Sequence, residues 1–175
     1  RKFGFGGYKY DGRWEKVAKA LVDHYGLKVG DRVLDVGCGE AFLLYDLMRL
    51  VPGLEIQGID ISQYAIQHAK EEVRPFLKVG NAVSLPYKDK SFDLIISLNT
   101  LHNLFCYDLV SALKEIERVG KKNKYIVVES YRTEEEKVNM MYWVLTGECF
   151  FAPKEWEWFY DLAGYTGDHS FIYFE

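Results

Sequence analysis

Short apolar runs alternate with longer amphipathic stretches along most of this chain of 175 residues. The runs in DRVLDVGCG, EIQGIDI, FLKVGN, FDLIISLN and YIVVES have the length of strands, and they are apolar enough to be buried on both faces of a sheet. Residues 40–51, 62–73 and 108–119 instead repeat their apolar positions at helical spacing. Strands that alternate with helices predict an α/β fold with a mainly parallel sheet and helices on both faces.

Both ends of the chain depart from this alternation. An apolar stripe over residues 14–25 predicts a helix that ends at Gly26, ahead of the first strand. After residue 130 the pattern predicts two helices with a break near Ala152-Pro153, followed by a last strand in HSFIYFE. We therefore expect a three-layer α/β/α sandwich with a Rossmann-like sheet and a helical insert after strand five.

Composition and charge exclude several classes of protein. Apolar residues make up 49% of the chain and charged residues 27%, as in a globular domain. The net charge of −4 provides no electrostatic footprint for nucleic acid or for an anionic membrane, so we expect neither as a partner. The three cysteines are widely spaced, which fits neither a disulfide framework nor a zinc site. We therefore expect a cytoplasmic protein without a metal.

The strongest chemical signal is VLDVGCGEA, residues 33–41, at the end of the first strand. Glycines there let the backbone turn tightly and approach a ligand at the carboxyl edge of the sheet. A dinucleotide site would need a third glycine where this chain has Phe42, and the carboxylate of Asp35 would repel a pyrophosphate. Asp60 ends the second strand, where an acidic residue can accept hydrogen bonds from a ribose. Taken singly these acids could be ordinary loop residues, but together they favour a cationic ligand with a ribose, such as S-adenosylmethionine.

Several motifs in this order resemble the class I S-adenosylmethionine-dependent methyltransferases, particularly their small-molecule branch. The motifs are VLDVGCGEA, IQGIDIS, VGNAVSLPYKDKSFDLIISLNTLHNL and YIVVES, within residues 31–130. The resemblance implies methyl transfer from S-adenosylmethionine to a small molecule, with S-adenosylhomocysteine as the product. It also implies one domain with three parts: an N-terminal lid and helix (1–25), a cofactor-binding core (31–130), and acceptor-side helices with the last strand (131–175).

The same resemblance assigns the residues that bind the cofactor, and most of them follow the ends of strands. They are Asp35, Gly37, Cys38 and Gly39 at the methionine part, Asp60 at the ribose, Ile61, Asn81 and Ala82 at the adenine, and Leu98 and Asn99 at the sulfonium. Two positions depart from the family pattern, because Ala41 replaces a third glycine and Asn81 replaces an aspartate. We interpret the thiol of Cys38 as a small packed group, since no base lies near it in sequence.

His102, just beyond the fourth strand, is the best-placed candidate for a general base, which is needed only if the acceptor is protonated at the working pH. A histidine that lines the site without reacting is an equally good interpretation. The aromatic residues of 137–160 are expected to be core, to wall an acceptor pocket, or to form a subunit interface, so a homodimer stays open. A binding protein that has lost catalysis also stays open, whereas Asp35 disfavours a nicotinamide-dependent reductase.

The opening stretch RKFGFGGYKYDGRW combines glycines with aromatic and basic residues. It resembles a phosphate loop, but no strand precedes it to present such a loop to an anion. In the family that the chain resembles, elements before the first strand fold over the bound cofactor. We therefore predict that residues 1–14 form a lid, in which Arg13 pairs with the methionine carboxylate. A frayed terminus is the alternative.

Overall fold

Six parallel strands form the centre of the computed structural model, which describes residues 9–175. The strands are β1 (Arg32–Val36), β2 (Glu55–Asp60), β3 (Leu77–Val79), β4 (Phe92–Leu98), β5 (Gly120–Glu129) and β6 (Asp168–Ile172). They lie in the order β3-β2-β1-β4-β5-β6, and every neighbouring pair is parallel. The chain order therefore reverses beside β1, which pairs with β2 on one side and with β4 on the other.

Helices cover both faces of this sheet. They are α1 (Glu15–Tyr25), α2 (Phe42–Leu50), α3 (Gln63–His68), α4 (Cys106–Val119), α5 (Glu134–Trp143) and α6 (Pro153–Ala163). One apolar core contains buried residues of α1 and α2 together with Val33 and Ile96, and a second contains residues of α4 and α6 together with Leu34 and Ile95. Neighbouring residues of one strand thus enter opposite cores, as the pleat of a strand requires. The predicted three-layer α/β/α fold is confirmed.

The element boundaries agree with the sequence pattern except at α3. The side chain of Ser62 accepts a hydrogen bond from the Ala65 N–H at 3.1 Å, as expected for an N-cap. The helix predicted to extend to residue 73 nevertheless ends at His68, and the chain then turns at Lys70, whose carbonyl accepts from Arg74 N at 3.0 Å. The backbone leaves the helix at Ala69, which has an extended ψ of 153°, and Pro75 lies in a short 3₁₀ helix, Arg74–Phe76, that follows the turn.

A buried ion pair fastens the amino edge of the sheet to α4. Lys124 on β5 is 1% exposed, and its Nζ lies 3.1 Å from Oε1 of Glu117 on α4. The same carboxylate accepts a hydrogen bond from Thr166 N at 3.1 Å, just before β6. Burial alone would raise the pKa of Glu117, but the hydrogen bonds from Thr166 and Lys124 outweigh it and hold that pKa below its usual value.

Within residues 9–175, each helix is too short or too polar to form a membrane span.

Glu117→Gln should destabilise the protein by about 1–3 kcal/mol at pH 7, because the ammonium of Lys124 stays buried without a counter-charge. Since the pKa of Glu117 is lower in the folded state, its contribution is present above the unfolded pKa and is lost as the pH falls through the folded value. Urea unfolding of the variant and of the exposed control Glu135→Gln, at pH 7 and at pH 3, measures this difference. Equal stabilities of the two variants at pH 7 would show that the pair contributes nothing.

Candidate cofactor site and active site

A cleft of about 210 Å³ opens at the carboxyl edge of the sheet, where β1 and β4 lie side by side. The sequence-predicted residues that line it are Asp35, Gly37, Cys38, Gly39, Leu98 and Asn99. Residues that the sequence reasoning did not assign to the cofactor also line it: Trp14, Thr100 and the segment 40–43. The structure therefore brings the ends of two strands that are distant in sequence to one cavity.

The turn after β1 has room for glycine alone at its first position. Gly37 has φ +82°, and a Cβ built there would overlap the side chain of Thr100. Thr100 Oγ1 donates to the carbonyl of Gly37 at 3.2 Å and to that of Leu98 at 3.1 Å, so it joins the loops that follow β1 and β4. The only sequence signal for Thr100 was its place directly after Asn99.

Asp60, at the end of β2, is held by backbone hydrogen bonds. Its Oδ2 accepts from Gly39 N at 2.8 Å and its Oδ1 from Ser62 N at 2.8 Å. A carboxylate offers about four acceptor sites, so two stay available to hydroxyl groups of a ligand. The carboxylate that was predicted to bind ribose thus also fixes the glycine turn.

Asp35 places a buried carboxyl at the cleft without a protein donor. The residue is 5% exposed, and none of residues 9–175 donates a hydrogen bond to its side chain. Burial, and after it the charge of Asp60, raises the pKa of Asp35 to about 8. Burial also raises the pKa of Glu40, which lines the same cleft. Among the described lining residues there is no Lys, Arg or His, so the cleft favours a cationic ligand and disfavours a pyrophosphate.

Asn99 adds a second polar group without a partner. It has φ +55°, a conformation that asparagine tolerates better than most residues, and its N–H donates to Val127 O at 2.9 Å. Within the described chain, its Oδ1 is buried and accepts no hydrogen bond. An unpaired buried acceptor is costly in a folded protein, and at a cleft it indicates a place for a ligand donor. The orphan groups of Asp35 and Asn99 fit S-adenosylmethionine, which carries positive charge and N–H donors.

The residues predicted for the adenine lie beside this cleft and do not line it. Ile61 follows β2 and is 74% exposed, which is unusual for an isoleucine. Asn81 follows β3, and its Oδ1 already accepts from Val83 N at 3.1 Å, so one of its two lone pairs is occupied. Ala82 is partly buried against the core. Their contacts with an adenine stay a prediction.

The thiol of Cys38 packs against β2, in agreement with its interpretation from the sequence as a small packed group. A Cβ built at Gly58 on β2 would lie 2.8 Å from Cys38 Sγ, so the thiol occupies the space that this glycine leaves. Burial, with the charges of Asp35 and Asp60, raises the pKa of Cys38 far above its usual value. The residue therefore contributes backbone to the cleft and no thiolate.

Of the predicted lid, residues 9–14 are described, and residues 1–8 lie outside the described part of the chain. Tyr10 donates to Asp46 Oδ1 on α2 at 2.6 Å, and Trp14 lines the cleft. Arg13 is not among the described residues that line the cleft, and its guanidinium pairs with Asp11, with Nε 2.9 Å from Oδ1. Trp14 thus borders the cleft where Arg13 was expected, and the pairing of Arg13 with a methionine carboxylate stays a prediction.

His102 lies in a short 3₁₀ turn, Leu101–Asn103, that follows β4. Its ring is 7% exposed, and Nδ1 lies directly against Oε2 of Glu129, the last residue of β5. The two atoms are at ion-pair distance, outside the angles of a well-aligned hydrogen bond, and neither has another partner in residues 9–175. Sequence reasoning missed Glu129, although an acid at the end of a buried strand was the signal that identified Asp35 and Asp60.

A family model described as a methyltransferase domain matches residues 27–164. The chain belongs to this methyltransferase family. The match extends over the cleft, the glycine turn and both acidic strand ends, and the resemblance noted in the sequence is confirmed. Within the described chain, no group of three or more His, Cys, Asp or Glu side chains is arranged to hold a metal ion.

Curated relatives of this methyltransferase domain act on different acceptors. The domain is 31% identical over 128 residues to a demethylmenaquinone methyltransferase of Symbiobacterium thermophilum. This alignment covers 68% of this chain and 50% of that protein. The domain is also 31% identical over 130 residues to a tRNA (carboxymethyluridine(34)-5-O)-methyltransferase of Arabidopsis thaliana. That alignment covers 74% of this chain and 30% of the relative. The chain thus spans half the length of these relatives or less.

A solved structure shows the same fold. The YcgJ protein of Bacillus subtilis superposes with a TM-score of 0.69 and 20% identity, over 85% of this chain and 67% of that one. At this identity the likeness establishes the fold alone.

Asp35→Asn should remove a pH-dependent loss of stability from the ligand-free protein. The pKa of Asp35 is about 8 when folded and ordinary when unfolded, so the wild type loses stability as the pH rises from about 4 to 8. The isosteric amide carries no charge to bury, so the variant should gain melting temperature over the wild type progressively across that range. Thermal unfolding from pH 5 to pH 8, with the exposed control Asp161→Asn, measures this gain. Parallel curves for wild type and Asp35→Asn would contradict the burial of an ionisable carboxyl.

Proposed function

We propose that this domain transfers the methyl group of S-adenosylmethionine to a small-molecule acceptor. The observation that carries the proposal is the acidic cleft, in which the buried carboxyl of Asp35 has no donor among residues 9–175 and the Gly37 turn brings backbone to the cavity. Such a cleft supports a cationic cofactor and disfavours NAD, whose pyrophosphate would meet Asp35 and Glu40. Membership of the methyltransferase family supports the same cofactor.

The cofactor, when bound, supplies a methyl group already activated on a positively charged sulfur. Asp35 would pair with the positive charge of the methionine part, and the free lone pairs of Asp60 would accept from the ribose hydroxyls. Leu98 and Asn99 would border the sulfonium, and Ile61 would flank the adenine together with Asn81 and Ala82. The protein must then align the acceptor and exclude water, a task that suits Trp14 and the predicted lid.

A base is required only where the acceptor must lose a proton, and we assign that role to His102. Contact with Glu129 on the Nδ1 side favours a proton on Nδ1, which leaves Nε2 as the atom that accepts a proton. Glu129 acts through the imidazole and is therefore a positioning residue. Its nearly complete burial keeps water from competing for the pair.

The charge of the chain supports a small-molecule acceptor. A net charge of −4 and an acidic cleft would repel a polyanion such as tRNA, although one relative is a tRNA methyltransferase. Residues 131–175, which include α5 and α6, would form the acceptor side, because they follow β5 at the carboxyl edge. A homodimer is compatible with the exposed aromatic residues of α5, such as Tyr142 and Trp143. A cytoplasmic location agrees with the charge and the free thiols.

Calorimetry should show that S-adenosylmethionine and S-adenosylhomocysteine bind and that NAD does not. Asp35→Asn and Asp60→Ala should each weaken cofactor binding by about 1.5–3 kcal/mol, as expected for a lost hydrogen bond to a charged group. Asp161→Asn should leave the affinity unchanged. Tight binding of NAD, or full affinity of the Asp35→Asn variant, would reject the proposed cofactor.

His102→Ala should lower turnover roughly 10²–10⁴-fold while leaving the affinity for S-adenosylhomocysteine nearly intact. Nitrogen chemical shifts of labelled histidine provide a second readout that needs no acceptor: the neutral ring of His102 should carry its proton on Nδ1, and Glu129→Gln should alter this preference. The exposed His24 provides an internal reference, since Glu129→Gln should not change its signals. A proton on Nε2 in the wild type would contradict the assigned role, whatever the acceptor.

A further inference from the structure

Two thiols meet beside the turn that carries His102. Cys106 is exposed and is the first residue of α4, whereas Cys149 is 1% exposed and lies in the connection between α5 and α6. Cys149 Sγ lies 2.9 Å from the carbonyl oxygen of Leu104, to which it donates. Leu104 precedes Cys106 by two residues, and the Cys106 side chain contributes, after burial, to the raised pKa of the Cys149 thiol. Residues distant in sequence thus bring two sulfur atoms together.

Backbone hydrogen bonds hold together the two chain segments that contain these cysteines. The carbonyl oxygen of His102 accepts from Glu148 N at 2.8 Å and from Cys149 N at 2.9 Å. The chain at 102–106 therefore runs alongside residues 148 and 149 through contacts that do not depend on the thiols. The third cysteine, Cys38, lies in the turn after β1 against Gly58 and takes no part in the pair.

We propose that Cys106 and Cys149 form a reversible disulfide when the protein meets a low-molecular-weight disulfide such as oxidised glutathione. The thiolate of Cys106 attacks one sulfur of the oxidant, which forms a mixed disulfide and releases one molecule of glutathione. Cys149 then loses its proton and attacks the Cys106 sulfur, which closes the protein disulfide and releases the second glutathione. Two protein thiols are oxidised and one disulfide is reduced to two thiols, so the exchange balances.

The environments of the two thiols determine this order. Cys106 is exposed, so its sulfur is accessible to the oxidant, whereas Cys149 is buried. Burial raises the pKa of Cys149 to about 12, with a smaller contribution from Cys106. Closure is therefore the slow step, and the mixed disulfide at Cys106 should accumulate briefly before it disappears.

The disulfide would act on the acceptor side of the domain. It would join the start of α4 covalently to the connection between α5 and α6, which already bonds to the carbonyl of His102. The exchange itself stands on the thiol geometry alone, whereas an effect on catalysis rests on the proposed role of His102. The cleft at Asp35 and Asp60 lies outside the joined segments, so cofactor affinity should stay the same.

Mass spectrometry of the native full-length chain after treatment with oxidised glutathione tests the proposal. The expected product lacks two hydrogen atoms, contains a cross-linked peptide pair with Cys106 and Cys149, and returns to the starting mass with dithiothreitol. Cys106→Ser should form no cross-link and bind no glutathione while folded, and Cys149→Ser should stop at the mixed disulfide on Cys106.

Hydrogen exchange over residues 144–152 should slow in the oxidised protein, while binding of S-adenosylhomocysteine changes less than about twofold. The proposal is overturned if native protein stops at a glutathione adduct on Cys106, if Cys38 appears in the cross-link, or if the cross-link forms only in denaturant. Because no outcome requires turnover, a failure here is separate from a failure of the proposed methyl transfer. If the reduced protein does not bind S-adenosylmethionine or S-adenosylhomocysteine at all, the proposed function is rejected, and the proposed thiol exchange is unaffected.

Discussion

Because β1 pairs with β2 on one side and with β4 on the other, the chain leaves β1 and β4 toward opposite faces of the sheet. The helices that follow confirm this divergence, since α2 packs in one apolar core and α4 in the other. A crevice must open between the two diverging loops, and it is where ligands bind in such sheets. The contact of Thr100 with Gly37 then sets how closely the loops approach, which explains why the first glycine of the turn cannot carry a side chain.

The amino and carboxyl edges of the sheet differ in whether their polar side chains have protein partners. At the amino edge, the buried ammonium of Lys124 pairs with Glu117, and the partly exposed Arg118 bonds to Glu115 at 2.7 Å. At the carboxyl edge, Asp35 has no donor within residues 9–175 and Asn99 Oδ1 accepts no hydrogen bond there, whereas His102 and Glu129 contact each other. Among residues 9–175, buried side-chain atoms of Asp46, Gln57, Tyr87 and Tyr160 also have no hydrogen-bond partner, so the two edges differ in degree. Buried acceptors without a partner lower the stability of a folded protein, so selection for stability alone would not retain them. Those at the carboxyl edge are explained by a ligand that binds there.

Most of the fold could be predicted from the sequence because apolar runs of strand length and helical stripes report burial directly. The acids at the ends of β1 and β2 could be found for the same reason, since a charge that ends a buried run needs an explanation. The Glu129 contact with His102 joins residues on different elements, and no local pattern reports such a pair. The end of α3 was missed because the helical spacing of apolar residues continues past His68, although the backbone turns at Ala69 and Lys70. The pairing of Arg13 with Asp11 was missed because the sequence alone does not distinguish a nearby carboxylate from a ligand as the partner of a guanidinium.

Packing also distinguishes α5 from the other long helices of the domain. Five residues of α4 are buried against the sheet, whereas α5 buries only Glu136 and Met140 of its ten residues. Tyr142 is 80% exposed and Trp143 67% exposed, so little of the sheet's stability depends on them. Sequence changes in α5 therefore cost the core little, while changes at Gly37 or Asp60 disturb the strand ends themselves.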